Sequence, residues 1–142
     1  MNYSKTMFKT NFAIAICLFI TSINFSQETI TNQDAGILSF QNEEIDYGTI
    51  QQNADGERVF SFTNTGKNPI VISNVKTTCG CTVPSYSKTP ILPGETSEIK
   101  VKYATNRIGV FKKTITVISN ASEPNKILKI KGEVLKPTTL DN

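Results

Sequence analysis

Cys79 and Cys81, separated only by Gly80, are the residues whose types and spacing could do chemistry in this chain. Two thiols so placed can form a disulfide, hold a soft metal or simply pack. On a regular strand, residues two apart point the same way, but their Cα atoms lie nearly two rises of ~3.3 Å apart. A disulfide prefers a Cα separation of about 5.5–6 Å. Bridging therefore requires a local bend, and Gly80 is the residue best able to supply it. The ring so closed is very small. It would be strained and more easily reduced than a structural bridge, and it would restrict little chain entropy.

Three readings of the pair stay open at this point. The first is a disulfide, or a pair of thiols, that fixes the turn into Thr82-Val83-Pro84. The second is a thiol–disulfide exchange centre. It wants a lowered thiol pKa from a helix N-terminus or a cation, and Lys76 is close in sequence while no helix is predicted. The third is a Cu(I) site made of two thiolates, in one chain or shared between two. Gly80 and Thr82 support the motif in each reading.

The composition removes most helpers for these sulfurs. The chain has 142 residues, no histidine and no tryptophan, and both methionines, Met1 and Met7, lie at its N-terminus. Serine–histidine and cysteine–histidine catalysis are thereby excluded. A tetrahedral zinc site in one chain is two ligands short. No catalytic residues are assigned, no cofactor is implied, and the chain reads as non-enzymatic.

The N-terminal stretch reads as an export signal. Lys5 and Lys9 precede the apolar run Phe12 to Ile20, and small Ser22 and Ser26 lead into polar Gln27-Glu28. The run is about half the ~20 residues a membrane span needs. Cleavage is placed after Ser26, and Met7 is an alternative start. Cys17 lies mid-run behind Ile16, which suits a buried signal-peptide cysteine better than a lipidated one. Cleavage takes no acid and two of the 15 lysines and arginines, which leaves 13 against 12 acids. That balance gives no basis for binding nucleic acid or an anionic membrane. The mature chain is expected to be periplasmic or secreted, with no transmembrane span.

The elements that position the cysteines read as strands. Residues 27–36 are polar and aperiodic, a flexible leader. From Ile37 to Lys136 short alternating segments are separated by turns. They are Ile37 to Phe40, Glu43 to Ile50, Arg58 to Asn64, Ile70 to Val75, Glu98 to Tyr103, Phe111 to Ile118 and Leu128 to Val134. Ser85 to Pro90 is a weak strand or loop. Phe60, Phe62, Ile99, Val101, Tyr103, Ile115, Val117, Leu128, Ile130 and Val134 are expected to face inward. Gly66 is read as free to take positive φ, and Pro93-Gly94 as a strong turn. About seven strands, each with one buried face, make an all-β, immunoglobulin-like antiparallel sandwich. Pro137 and a polar tail, residues 137–142, end the chain.

The order of these elements resembles a family. Tyr47-Gly48-Thr49-Ile50 is followed by Phe60 to Gly66 and by Pro69-Ile70-Val71-Ile72. Cys79-Gly80-Cys81-Thr82 comes next, then Pro93-Gly94, Ile99 to Tyr103, Gly109 before Phe111, and Ser119-Asn120. This is similar to the DUF1573 family of exported bacterial proteins and, more distantly, to immunoglobulin-like modules of the Hydin and major sperm protein type. The likeness covers about Phe40 to Val134. It implies a sandwich, an exported location and a Bacteroidota-like source, but no established activity. The related modules mostly bind or scaffold, so the expected partner is a protein or another cell-envelope component.

Three further groups call for a reading. Lys100, Lys102, Lys112, Lys129 and Lys131 would form a basic stripe only if their strands were neighbours; solvated outward faces suit them better. Glu43, Glu44 and Asp46 lack calcium-loop spacing. Asn120-Ala121-Ser122 matches a glycosylation acceptor.

Overall fold

Alternation with a period of two leaves each strand one apolar face, and burying eight such faces takes two packed sheets. The computed structural model describes residues 34–137. The strands are β1 (Leu38–Phe40), β2 (Glu44–Gln51), β3 (Glu57–Asn64), β4 (Ile72–Thr77), β5 (Thr82–Tyr86), β6 (Thr96–Tyr103), β7 (Gly109–Ser119) and β8 (Asn125–Leu135). One sheet has the order β1-β3-β6-β5 and the other β2-β8-β7-β4. The fold is an all-β, immunoglobulin-like sandwich. The export signal and its cleavage point, most of the leader and most of the tail fall outside the described residues.

Every residue expected to face inward is buried. Phe60, Phe62, Ile99 and Val101 from one sheet meet Ile115, Val117, Leu128 and Ile130 from the other. Pairing is antiparallel except between β2 and β8, which run parallel. The chain changes sheets between β1 and β2, so β2 joins the second sheet alongside the last strand. A bulge between Asp46 and Thr49 interrupts that pairing. Gly48 sits there at φ +62°, with its N–H donated to Asp46 Oδ1 at 2.8 Å.

Several expected boundaries move. β5 begins at Thr82, three residues before the weak strand expected from Ser85, and it contains Pro84. Proline argues against a central strand, but β5 is an edge strand, where a missing N–H can face away from the ladder. The strand expected from Ile70 begins at Ile72, and Ile70 instead makes an isolated bridge to Ile91. The leader is packed before its expected end: Gly36 is buried and its carbonyl accepts from Ser122 N at 2.8 Å.

The turn at Pro93-Gly94 forms as expected. Glu95 N donates to Leu92 O at 3.0 Å and Gly94 has φ +83°, the geometry of a type II turn. Gly66 differs. Its φ is not positive, and it is needed for close approach instead: a Cβ there would lie 2.3 Å from Ala35 O and 2.5 Å from Ile37 N.

Candidate functional site: the Cys79–Cys81 corner

The cysteines occupy the corner where the chain passes from β4 in one sheet to β5 in the other. Both flanking strands lie at sheet edges, so this short connection ties the sheets together on one side. The two sulfurs are within bonding distance, and the Cα atoms are 5.3 Å apart. The bend the sequence required is therefore present. Gly80 does not make it by a left-handed conformation, since its φ is not positive, and a Cβ there would meet nothing within 4 Å. The glycine leaves open space above the pair, and no steric need for it is evident.

The corner is held from several directions. Thr78 N donates to Thr114 O on β7 at 3.2 Å, and Ala104 N donates to Cys81 O at 2.8 Å. Thr77 Oγ1 lies 2.9 Å from Cys79 O and 3.1 Å from Thr82 O, so one hydroxyl proton serves two carbonyls across the turn. The two sulfurs are not equivalent. Cys81 is 3% exposed and part of the core, whereas Cys79 is half-buried against it. Beside them Thr82 is 2% exposed, and its hydroxyl has no hydrogen-bond partner among the described residues. A buried unpaired hydroxyl costs roughly 1–3 kcal/mol relative to one that is bonded.

An aromatic cluster fills the same end of the sandwich, reaching the corner where Tyr103 pairs with Thr82. Tyr103 stacks on Phe111 at 3.8 Å between ring centroids, and Tyr47 meets Phe111 edge-on at 5.2 Å. The Arg58 guanidinium lies 4.3 Å from the Tyr47 ring centroid. Tyr47 OH donates to Gly56 O at 2.8 Å, and burial pushes its pKa up to about 12.

The other sequence candidates are dispersed. Lys100 and Lys102 lie on β6 in one sheet, while Lys112, Lys129 and Lys131 lie on β7 and β8 in the other. They form no single stripe. The acids at and just before the start of β2 are paired with lysines. Glu43 pairs with Lys126 at 2.6 Å, and Lys131 contacts Glu44 at 2.5 Å and Asp46 at 3.8 Å. The bond to Lys131 holds the Glu44 carboxyl below its ordinary pKa, and the same bond holds Lys131 above its own. Among the described residues no group of three or more potential metal ligands occurs. Asn120 is engaged, accepting from Val71 N at 2.7 Å and donating to Pro69 O at 3.2 Å.

Asn64 is a structural residue that alternation places at the end of a strand without a role. It is 0% exposed, and its side chain makes four hydrogen bonds. Nδ2 donates to Asn68 O at 2.9 Å and Ile91 O at 3.0 Å, and Oδ1 accepts from Ile37 N at 3.2 Å and Gly66 N at 3.0 Å. The signal was the alternation itself. Phe60 and Phe62 face in, and the next residue in that series is Asn64.

A family model described as a protein of unknown function, DUF1573, matches residues 38–134. The chain belongs to the DUF1573 family. None of the curated proteins matches it significantly. Among solved structures it is similar to a protein of unknown function from Porphyromonas gingivalis, at 18% identity and TM-score 0.63 over 76% of this chain. It spans about half that protein's length, 51%. It is similar to the ASH/PapD-like domain 7 of human CEP192, at 9% identity and TM-score 0.63, covering 82% of this chain and 97% of that one. It is also similar to part of the VesB protease of Vibrio cholerae, at 15% identity and TM-score 0.54 over 73% of this chain and 32% of that one. At these identities the likeness shows the fold alone. Among the described residues no helix is long and apolar enough to cross a membrane.

Proposed function

We propose that this DUF1573 chain is an exported, non-enzymatic binding or scaffolding module of the cell envelope, working in the periplasm or after secretion. One observation carries the reading: the chain's reactive pair is turned on itself. The sulfurs of Cys79 and Cys81 face one another, and the inner one is 3% exposed. Cys79–Cys81 is then a disulfide that fixes the β4–β5 corner, with Gly80 and Thr82 completing the turn. Oxidising compartments favour such bridges. The absence of histidine from the whole chain supports the non-enzymatic part. The partner is a protein or another envelope component, not a nucleic acid, because the mature charge is close to balanced.

A second reading has an observation of its own. Cys79 is half-buried, and the space above Gly80 is open. An external thiolate could reach Cys79 Sγ, displace Cys81 as thiolate and form a mixed disulfide. Cu(I) binding would need both sulfurs free. Counting free thiols and bound metal on the purified protein, then measuring its reduction potential, separates these. Bridged cysteines, no copper and resistance to glutathione support the binding module. A potential near that of exchange catalysts, or stoichiometric copper, would displace it.

A further inference from the structure

We propose that the free edge of β7 over Gly109–Lys113 is the docking site, and that its occupant is an extended, carboxylate-bearing segment of another polypeptide, added as a strand. The proposal rests on the binding-module reading and names its surface. β7 is eleven residues long and pairs with β8 from Gly109 to Ile118. On its other side β4 covers it only from Ile115 to Ser119. Thr78 N reaches Thr114 O, and the chain then departs through Cys79-Gly80-Cys81 to the other sheet. Among the described residues, no backbone hydrogen bond reaches Gly109–Lys113 from that side. The cysteine corner thus ends the cover and sets the length of the open edge.

Parity identifies the available groups. In an antiparallel strand, one residue's N–H and C=O point to the same neighbour, and the next residue's point to the other. Thr114 O points toward β4, so the backbone groups of Lys112 and Val110 point that way as well. An added strand of about five residues would pair with them. The side chains suit an apolar contact flanked by negative charge. Val110 is 81% exposed, the most exposed large hydrophobic residue described, and Ile108 before it is 47% exposed. Lys112 and Lys113 on the edge and Arg107 just before it take part in none of the ion pairs found among the described residues. The carboxylate in register is Glu133, opposite Val110. Edge lysines discourage pairing with a second copy of the chain, through like charge, while favouring an acidic segment.

The test is amide hydrogen exchange and chemical-shift mapping on the purified protein, with two capped nine-residue peptides as probes. One alternates valine with glutamate, the other valine with lysine. Without peptide, the Val110 and Lys112 amides should exchange much faster than those of Phe111 and Lys113. The glutamate peptide should slow Val110 and Lys112 by about tenfold or more at saturation, and the lysine peptide should not. Lys112→Pro should abolish the effect by removing an outward N–H. Should that variant fail to fold, Val110→Glu, which keeps the amides, should weaken the effect. Slowing at β1, β5 or the first half of β3, or no slowing at all, overturns the edge assignment. So does self-association that protects the same amides without peptide. Protection at another edge would leave the binding-module reading standing. Thiol-exchange turnover in the potential measurement would remove that reading itself.

Discussion

Asn64 and Thr82 are both polar, both buried, and set at opposite ends of the sandwich. Asn64 makes four hydrogen bonds, while the Thr82 hydroxyl makes none. At the Asn64 end, one amide side chain joins the start of β1, the turn after β3 and the stretch before β6. At the Thr82 end, the same task falls to a pair of sulfurs, a threonine hydroxyl and a tyrosine. Where an interior group is fully satisfied, it specifies a corner by itself. Where one is left unpaired, the corner leans on the packed cysteine pair and on aromatic support. The difference locates the less tightly specified end of the molecule, which is also the end with the open strand edge.

Removing the Asn64 side chain should be among the largest effects. Asn64→Ala leaves the amides of Ile37 and Gly66 and the carbonyl of Asn68 without their partner, while Ile91 O keeps its bond from Ile70 N, and we expect a loss of about 2–3 kcal/mol in urea unfolding. A loss below about 1 kcal/mol would erase the contrast.

The two ends also differ at their glycines. Gly66→Ala drives a Cβ against backbone at 2.3 Å, for an expected loss of about 2–3 kcal/mol. Gly80→Ala should stay within about 0.5 kcal/mol of the parent. If Gly80 is as sensitive as Gly66, the glycine in the motif has a role that space does not explain.

Tyr47 is the polar anchor of the Thr82 end. Tyr47→Phe should cost roughly 1–2 kcal/mol, through the lost bond to Gly56 O. Its pKa in the folded state is raised, so the neutral phenol is the form the fold prefers. The associated stability is fully present below about pH 10, the unfolded value. It is lost as the pH rises toward about 12. Unfolding curves between pH 8 and 12 should show that loss in the parent and a smaller one in the phenylalanine variant.

Opening the proposed bridge should matter less. Reducing the Cys79–Cys81 pair without replacing either residue removes a loop-closure constraint of about 1.5 kcal/mol or less, because so few residues are enclosed. A collapse of the fold would mean that the corner is the primary support of that end.

One small effect has the opposite sign. Thr82→Val deletes an unpaired hydroxyl at nearly constant shape, and the melting midpoint should hold or rise, by up to about 1 kcal/mol in stability. Clear destabilisation would show that the hydroxyl has a partner after all.

Much of this was legible in advance. The inward series through Phe60 and Phe62, Ile99 and Val101, Ile115 and Val117, and Leu128 and Ile130 all follow from alternation. The same alternation extends to Asn64, but a polar side chain at the strand's end gave no sign in the sequence of which distant backbone groups it would meet. Pro84 concealed the start of β5, since proline signals against a strand unless the edge it faces is known. The candidate site was legible only as types and spacing. Cys79 and Cys81 could be named, but the unequal burial of their sulfurs and the indifference of Gly80 to a Cβ depend on what surrounds them.

The division has one physical source. Which face of a strand a side chain occupies is a local property with a period of two, so the order of residues determines it directly. The absence of imidazole, and the charge balance expected after cleavage at Ser26, are equally properties of the chain alone. Strand neighbours are different, because they depend on contacts between residues far apart in sequence. Folding alone set β2 parallel to β8, left β4 too short to cover β7, and exposed Val110 on an open edge beside the Cys79–Cys81 corner.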